Sequence, residues 1–336
     1  MPPVGAWPTL TLADVLEARR AIAPYLLRTP LHGYPGLTGL VGAEILVKHE
    51  NHLPTGAFKV RGGINLVSHL DRGERARGLV TASTGNHGQS IGYAGRLFGT
   101  HVVVCVPVGA NPAKLRSMRA LGADVVEHGR DFDEAREHCE ALAAEHGYRY
   151  VHSGNEPLLI AGVGTHTLEA LEQEPRLDAI VVPIGGGSGA AGACIVAKAV
   201  APGCEVIGVQ AELAPAAFRS WQARSVVRDR MATAAEGLAT RVGFELPQSI
   251  LWEHLDDFVL VGEDELRDAT RLMIEHTRNL VESAGAAPLA AALRLRERLA
   301  GRRVALVCTG GNVTLDQLRD VLDGDVVPHS SITALA

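Results

Sequence analysis

Lys59 is the residue of this sequence best suited to covalent chemistry. It lies in residues 48–63, KHENHLPTGAFKVRGG, directly after Phe58. A lysine amine that is partly desolvated and deprotonated attacks an aldehyde, and the Schiff base that forms exchanges with the amine of a substrate. A solvated surface lysine is the alternative, because lysines are rarely buried. The next residues, VRGGINLVSHL, predict a helix beginning at Lys59, where the helix dipole disfavours the charged amine.

A polar turn, Ser83-Thr84-Gly85-Asn86-His87, follows the strand-like segment LVTA. The residues after the turn predict a helix. Hydroxyl, amide and backbone N–H groups would therefore meet at a helix N-terminus and form a cradle for a carboxylate. A helix N-cap with a simple turn is the alternative.

A glycine-rich loop follows the apolar segment AIVVPI and precedes another predicted helix. Its residues are Gly185, Gly186, Gly187, Ser188 and Gly189. Backbone amides in such a loop close around a phosphate, and the helix dipole assists them. The same region also satisfies GxGxxG through Gly192, and Glu212 stands where a ribose-binding acid is expected. A dinucleotide site, and with it a nicotinamide-dependent dehydrogenase, therefore remains an alternative at this point.

The fourth motif is Cys308-Thr309-Gly310-Gly311-Asn312, after the apolar segment RVALV. The Thr309 hydroxyl could hydrogen-bond a heteroaromatic nitrogen, and a plain strand-terminal turn is the alternative. In open α/β sheets ligands collect at the carboxyl ends of strands, so we expect the four motifs to converge.

Short valine-rich strands alternate with helical segments from Gly78 onward. This alternation predicts parallel βαβ units and an α/β fold. A chain of 336 residues favours two domains. We predict that they interleave, with residues 1–75 and 148–336 forming a large cofactor-binding domain and residues 76–147 a small one.

Composition excludes several classes of partner. The net charge of −6 provides no basic surface for nucleic acid. The five cysteines show no metal-ligand spacing, and their odd number argues against a complete disulfide framework. The N-terminus lacks a secretory pattern, and the apolar runs are too short and interrupted for a membrane span. The sequence predicts a cytoplasmic protein with no membrane or nucleic-acid partner.

The four motifs TGAFKVRGG, STGNHGQ, PIGGGSG and CTGGN resemble those of the fold type II pyridoxal phosphate enzymes, specifically the serine/threonine dehydratase and serine racemase group. The likeness covers nearly the whole chain and includes VESAGAAPLAA at residues 281–291. It implies pyridoxal 5'-phosphate as cofactor, a small amino acid as substrate and a homodimer. The fold it implies has two domains, each with a mostly parallel twisted sheet flanked by helices.

The resemblance also assigns roles to individual residues. Lys59 matches the Schiff-base lysine. The matches to the cofactor-binding positions are Phe58 on the ring, Asn86 at the phenolic oxygen, Thr309 at the pyridine nitrogen, and Gly185, Gly186, Gly187, Ser188 and Gly189 around the phosphate. The substrate positions correspond to Ser83, Thr84, Asn86, His87 and Gly237. Thr84 also matches the position of the residue that protonates the second face of the substrate in serine racemases.

Three departures from the family pattern bear on function. Ser188 replaces the fourth glycine of the phosphate loop, and Glu236 replaces an aspartate before Gly237. Glu212 matches a glutamate of the family's cation site, but the expected downstream aspartate is missing, so we assign no metal ligands and leave open whether a structural cation binds. Thr84, a β-branched hydroxyl residue, replaces the racemase serine and can act only in a permitted rotamer.

The reaction predicted from these residues is β-elimination. Thr309 cannot hold the pyridine nitrogen protonated, so the ring is a weaker electron sink and transamination is disfavoured. We therefore expect a 3-hydroxy amino acid such as L-threonine or L-serine to yield a 2-oxo acid and ammonia. An amino acid racemase of the same family is the alternative.

Overall fold

The computed structural model describes residues 7–323. Its ten strands are β1 Leu31–Gly33, β2 Glu44–His49, β3 Leu79–Ala82, β4 Val102–Val106, β5 Asp124–Glu127, β6 Arg149–Tyr150, β7 Ala179–Pro183, β8 Glu205–Ala211, β9 Asp257–Val261 and β10 Arg303–Cys308. The helices before β7 are α1 Leu12–Ile22, α2 Pro35–Val41, α3 Lys59–His69, α4 Arg72–Arg77, α5 Asn86–Phe98, α6 Pro112–Ala120, α7 Phe132–His146 and α8 Pro157–Gln173. The helices after β7 are α9 Ser188–Val200, α10 Ala216–Ala223, α11 Glu245–His254, α12 Glu263–Thr277, α13 Ser283–Arg294, α14 Arg296–Leu299 and α15 Leu315–Asp323.

The strands form two sheets. The larger has the order β1-β2-β10-β7-β8-β9, and only its edge strand β1 is antiparallel to its neighbour. The smaller, β5-β4-β3-β6, is parallel throughout. Parallel strands require helical crossovers that cover the sheet faces, which explains the valine-rich strands of the sequence. The predicted α/β fold with mostly parallel sheets is confirmed.

The smaller sheet contains strands from Leu79 to Tyr150, so β6 extends just beyond the predicted boundary at residue 147. The remaining strands all belong to the larger sheet. The division of the chain into domains at residues 76–147 stays a prediction.

Apolar side chains fill both faces of the larger sheet and pack the smaller sheet against α3 and α5. Local signals set several helix ends. Thr11 and Asp14 form a capping box at α1, and the Asp131 side chain accepts a hydrogen bond from Glu134 N at the start of α7. None of the helices in residues 7–323 is both long enough and apolar enough to cross a membrane.

Candidate active site

Lys59 is the first residue of α3, and its side chain is partly buried. Its Nζ donates a hydrogen bond to Ser188 Oγ at 2.8 Å and another to the backbone oxygen of Ser153 at 3.1 Å. Burial lowers the pKa of this amine from 10.5 to about 8, because removal from water disfavours the ammonium form. The amine can therefore be a nucleophile or a base near neutral pH.

The glycine-rich loop connects β7 to α9, and Ser188 is the first residue of that helix. Side chains at two positions of this loop would collide with neighbouring aromatic rings. A Cβ on Gly186 would lie 2.3 Å from the Phe244 ring, and one on Gly189 would lie 3.0 Å from the Phe58 ring. Gly187 has a φ of 88°, which favours glycine. The loop thus packs closely against both rings, beside a helix N-terminus and next to Lys59 Nζ, and backbone N–H groups at such a terminus suit a phosphate.

The polar turn connects β3 to α5. Ser83 is buried, and its Oγ accepts hydrogen bonds from Gly88 N at 2.9 Å and Gly85 N at 3.3 Å. Asn86 begins α5, and His87 is buried with Nε2 2.9 Å from Thr81 Oγ1. Burial and the charge of Lys59 lower the pKa of His87 to about 3, so its imidazole is neutral. Thr84 lies half-buried within the turn.

Thr309 follows the last residue of β10 and is buried. Its backbone oxygen accepts a hydrogen bond from Phe58 N at 2.9 Å, and Ala57 forms an isolated β-bridge with Gly310. These bonds hold the segment before Lys59 against the last motif. Gly237 lies against the glycine loop, since a Cβ on Gly185 would be 2.3 Å from the carbonyl oxygen of Gly237. The structure therefore brings residues from all four motifs and Gly237 into one region.

Glu282, the N-cap residue of α13, also belongs to this region, although the sequence motifs assigned it no role. Its Oε1 accepts a hydrogen bond from Asn86 Nδ2 at 2.7 Å, and Asn312 Nδ2 donates to Asn86 Oδ1 at 2.8 Å. Burial raises the pKa of Glu282, while Lys114 acts in the opposite direction. Glu282 lies in the motif VESAGAAPLAA and Asn312 in CTGGN, but Asn86, to which both are bonded, is far from them in the sequence.

His152 was also missed. Its ring meets the Phe244 ring edge to face at a centroid distance of 4.8 Å, and its Nδ1 accepts hydrogen bonds from Gly154 N and Asn155 N. Burial, followed by the charge of Lys59, lowers the pKa of His152 to about 4. The residue thus places a neutral imidazole beside the lysine.

The donor set fits a phosphorylated aldehyde. The amine of Lys59 is available for a Schiff base, and the glycine loop, whose Ser188 contacts that amine, would hold the phosphate. Residues 22–310 match the family model described as pyridoxal-phosphate dependent enzyme. The chain belongs to this family.

Relatives support a narrower description. The L-threonine ammonia-lyase of Thermotoga maritima is 35% identical over 319 residues, which cover 95% of this chain and 79% of the relative. The β-hydroxyaspartate dehydratase of Paracoccus denitrificans is 37% identical over 92% of this chain and 98% of its own length. The crystal structure of serine racemase from Dictyostelium discoideum has a TM-score of 0.86 at 34% identity, and the match covers 92% of this chain and 100% of the racemase.

These findings confirm the predicted cofactor, pyridoxal 5'-phosphate, and the fold type II class. They also confirm the predicted type of enzyme, a pyridoxal-phosphate-dependent ammonia-lyase that carries out β-elimination. The dehydrogenase alternative gains no support. Glu212, the acid it needs, instead accepts hydrogen bonds from Arg294 at 3.4 Å. Within residues 7–323, no group of three or more histidines, cysteines or acids could hold a metal ion.

Proposed function

We propose that Lys59 holds pyridoxal phosphate and that the enzyme removes water and ammonia from a 3-hydroxy amino acid, with L-threonine and L-serine as first candidates. The observation that carries the proposal is the 2.8 Å contact between Lys59 Nζ and Ser188 Oγ, which joins the nucleophilic amine to the phosphate loop. When bound, the cofactor withdraws electrons from the substrate Cα and so eases removal of its proton.

Lys59 has a second task once the substrate amine has displaced it. The freed amine takes the Cα proton as a general base, and its pKa of about 8 suits this work near neutral pH. The backbone oxygen of Ser153 helps to orient the amine. The bond from Cβ to the hydroxyl oxygen then breaks, and the hydroxyl leaves as water with a proton that the phosphate in the glycine loop would supply. The released enamine takes up water and yields a 2-oxo acid and ammonia.

The turn between β3 and α5 holds the substrate carboxylate in this proposal. Ser83, Thr84, Asn86 and His87 surround the N-terminus of α5, where backbone N–H groups and the helix dipole favour an anion. Neutral His87, bonded through Nε2 to Thr81, lines the turn without competing for the proton that Lys59 removes. Gly237, which contacts the phosphate loop at Gly185, has no side chain and so lets the substrate approach the backbone there.

Thr309 selects the reaction type. Its hydroxyl is neutral, so it does not hold a ring nitrogen in the protonated form as a carboxylate would. The electron sink is consequently weaker, which favours prompt loss of the β-hydroxyl over transamination. Phe58, whose backbone N–H donates to the Thr309 carbonyl oxygen, would pack beside the same ring.

A 3-hydroxy dicarboxylic amino acid is the second candidate substrate. Arg228 and Arg241 lie 3.8 Å and 3.7 Å from Asp133 Oδ2. Asp133 belongs to α7, the helix that also carries Arg136, whose positive charge contributes to the lowered pKa of His152. Three of the relatives' names specify hydroxyaspartate, and a second carboxylate would take the place of Asp133 beside Arg228 and Arg241.

Racemisation remains the alternative within the family, since serine racemases are among the relatives. It requires Thr84 to deliver a proton to the second face of the substrate. Turnover of L-serine in deuterated water distinguishes the two: dehydration with no deuterated D-serine would exclude racemisation.

The proposal is tested with the purified protein and a panel of L-threonine, L-serine and 3-hydroxyaspartate. We expect a yellow protein, ammonia release, and attachment of the cofactor to Lys59 after borohydride reduction. Lys59→Ala should abolish turnover, whereas Lys198→Ala, at a surface lysine paired with Asp256, should not. Retained activity in Lys59→Ala, or a colourless protein, would contradict the assignment.

We further propose a cytoplasmic homodimer. All five cysteines are free and buried, which suits a reducing compartment. The dimer rests on the family resemblance, and light scattering of the purified protein tests it directly.

A further inference from the structure

A buried cluster of four charged side chains lies beside the helix that carries Lys59. Its members are Lys48, Glu50, Arg61 and Glu169, with side chains at most 10% exposed. Thr29 and Thr165 complete the hydrogen bonds. The two positive and two negative charges balance, and no residue of this cluster has a role in the reaction described above.

Arg61 is the centre of the cluster, two residues after Lys59. It bonds Glu50 through Nε at 2.6 Å and Nη2 at 2.9 Å. It bonds Glu169 through Nη1 and Nη2, both at 2.8 Å, and its Nη1 also donates to Thr165 Oγ1 at 3.1 Å. Two bidentate pairs define the position of a planar guanidinium in all directions. Buried ion pairs add little net stability over apolar residues of similar volume, so geometry is the more direct consequence of this arrangement.

Arg61 connects α3 to α8, because Glu169 and Thr165 both belong to α8. The two helices also touch through glycines, since a Cβ on Gly162 would lie 2.7 Å from the Gly62 Cα. Such close packing permits little sliding without loss of contact. The charged cluster therefore fixes the position of α3 along α8.

Helix α8 in turn packs on α9, the helix that begins with Ser188. A Cβ on Gly192 of α9 would lie 2.7 Å from the Gly164 Cα of α8. Helix α8 is therefore a common support for the helix of Lys59 and the helix of the phosphate loop. The 2.8 Å distance between Lys59 Nζ and Ser188 Oγ depends on both contacts.

We propose that Arg61, with Glu50 and Glu169, is a positioning residue that sets the lysine amine relative to the phosphate loop through α8. The inference rests on the role proposed above for Lys59. Because a misplacement of about 1 Å costs on the order of a hundredfold in rate, fixing this separation matters more for turnover than for substrate binding.

The test uses two variants of the holoenzyme. Arg61→Lys keeps the charge but cannot form both bidentate pairs. The double variant Lys48→Met/Glu169→Gln weakens the bond from Arg61 to α8 and leaves one positive and one negative charge, so no buried charge loses its partner. In both we expect kcat for L-threonine to fall by about tenfold or more while KM changes by less than about twofold. The affinity of the apoprotein for pyridoxal phosphate should also fall in a fluorescence titration.

Arg303→Met provides the matched control. Arg303 also pairs with two carboxylates, those of Glu44 and Glu174, but it stands at the start of β10, the strand end opposite the site. It should keep kcat and cofactor affinity. Wild-type kcat and affinity in the double variant, or in Arg61→Lys, would overturn the proposal, as would a loss of activity that only matches the loss of folded protein. An inactive, colourless wild-type protein would instead contradict the proposed function itself.

Discussion

Raising the pH of the cofactor-free protein tests the state of the Lys59 amine. The structure lowers its pKa from 10.5 to about 8 through burial. At pH 7 about one such amine in eleven is neutral, against about one in three thousand for an ordinary lysine. Lys59 should therefore present about 300-fold more nucleophile at this pH than a solvated lysine does.

The assay is stopped-flow mixing of apoprotein with pyridoxal phosphate between about pH 6 and about pH 10, followed by visible absorbance. A lysine model amine measured in parallel cancels the ionisations of the aldehyde itself, so the ratio of the two rates reports Lys59 alone. This ratio should be constant at low pH and should decline above about pH 8, where Lys59 is already neutral and the model amine is still losing protons. Lys59→Ala provides the background rate.

A ratio that stays constant up to about pH 10 would show an ordinary lysine and would refute the argument from burial. A decline that begins well below pH 8 would require a cationic neighbour in addition to burial.

Three further predictions concern the ring nitrogen, the loop and acid stability. Thr309→Asp should raise transamination relative to elimination, because a carboxylate supports a protonated ring nitrogen. The measurement is the amount of cofactor converted to its amine form per ammonia released. An unchanged ratio would contradict the role of Thr309. Gly187 has a φ of 88°, so Gly187→Ala should lower the free energy of unfolding by about 1–2 kcal/mol and weaken cofactor affinity. Urea titration measures the first effect and cofactor titration the second. A variant as stable as the wild type would show that the loop backbone changes conformation at no cost. Burial lowers the pKa of His166 from 6.5 to about 4. As the pH falls from 6.5 to about 4, the unfolded chain binds a proton at this residue and the folded chain does not, so the free energy of unfolding falls by about 3 kcal/mol. In thermal melting experiments, the stability of His166→Leu should decrease less steeply with falling pH than that of the wild type. The same pH dependence in both proteins would contradict the role of His166.

The chemistry of single motifs could be predicted from sequence because each motif is local. A lysine at the start of a helix, a glycine loop between a strand and a helix, and a hydroxyl after a strand act through backbone geometry set by neighbouring residues. The meeting of the motifs was also predictable, since parallel strands place their carboxyl ends along one edge of a sheet.

The partners of those motifs were decided by tertiary structure. Asn86 and Glu282 are separated by 196 positions, and Arg61 and Glu169 by 108. Nothing in local sequence indicates that a lysine, an arginine and two glutamates are buried together, because charged residues are usually solvated and only mutual pairing makes burial tolerable. The pKa of Lys59 belongs to the same group of properties. Its sequence predicts the helix N-terminus, but the burial that lowers its pKa to about 8 arises from packing around α3. Sequence alone thus determined which residues could react, and the tertiary structure decided their distances, protonation and supports, because desolvation and long-range pairing exist only in the folded chain.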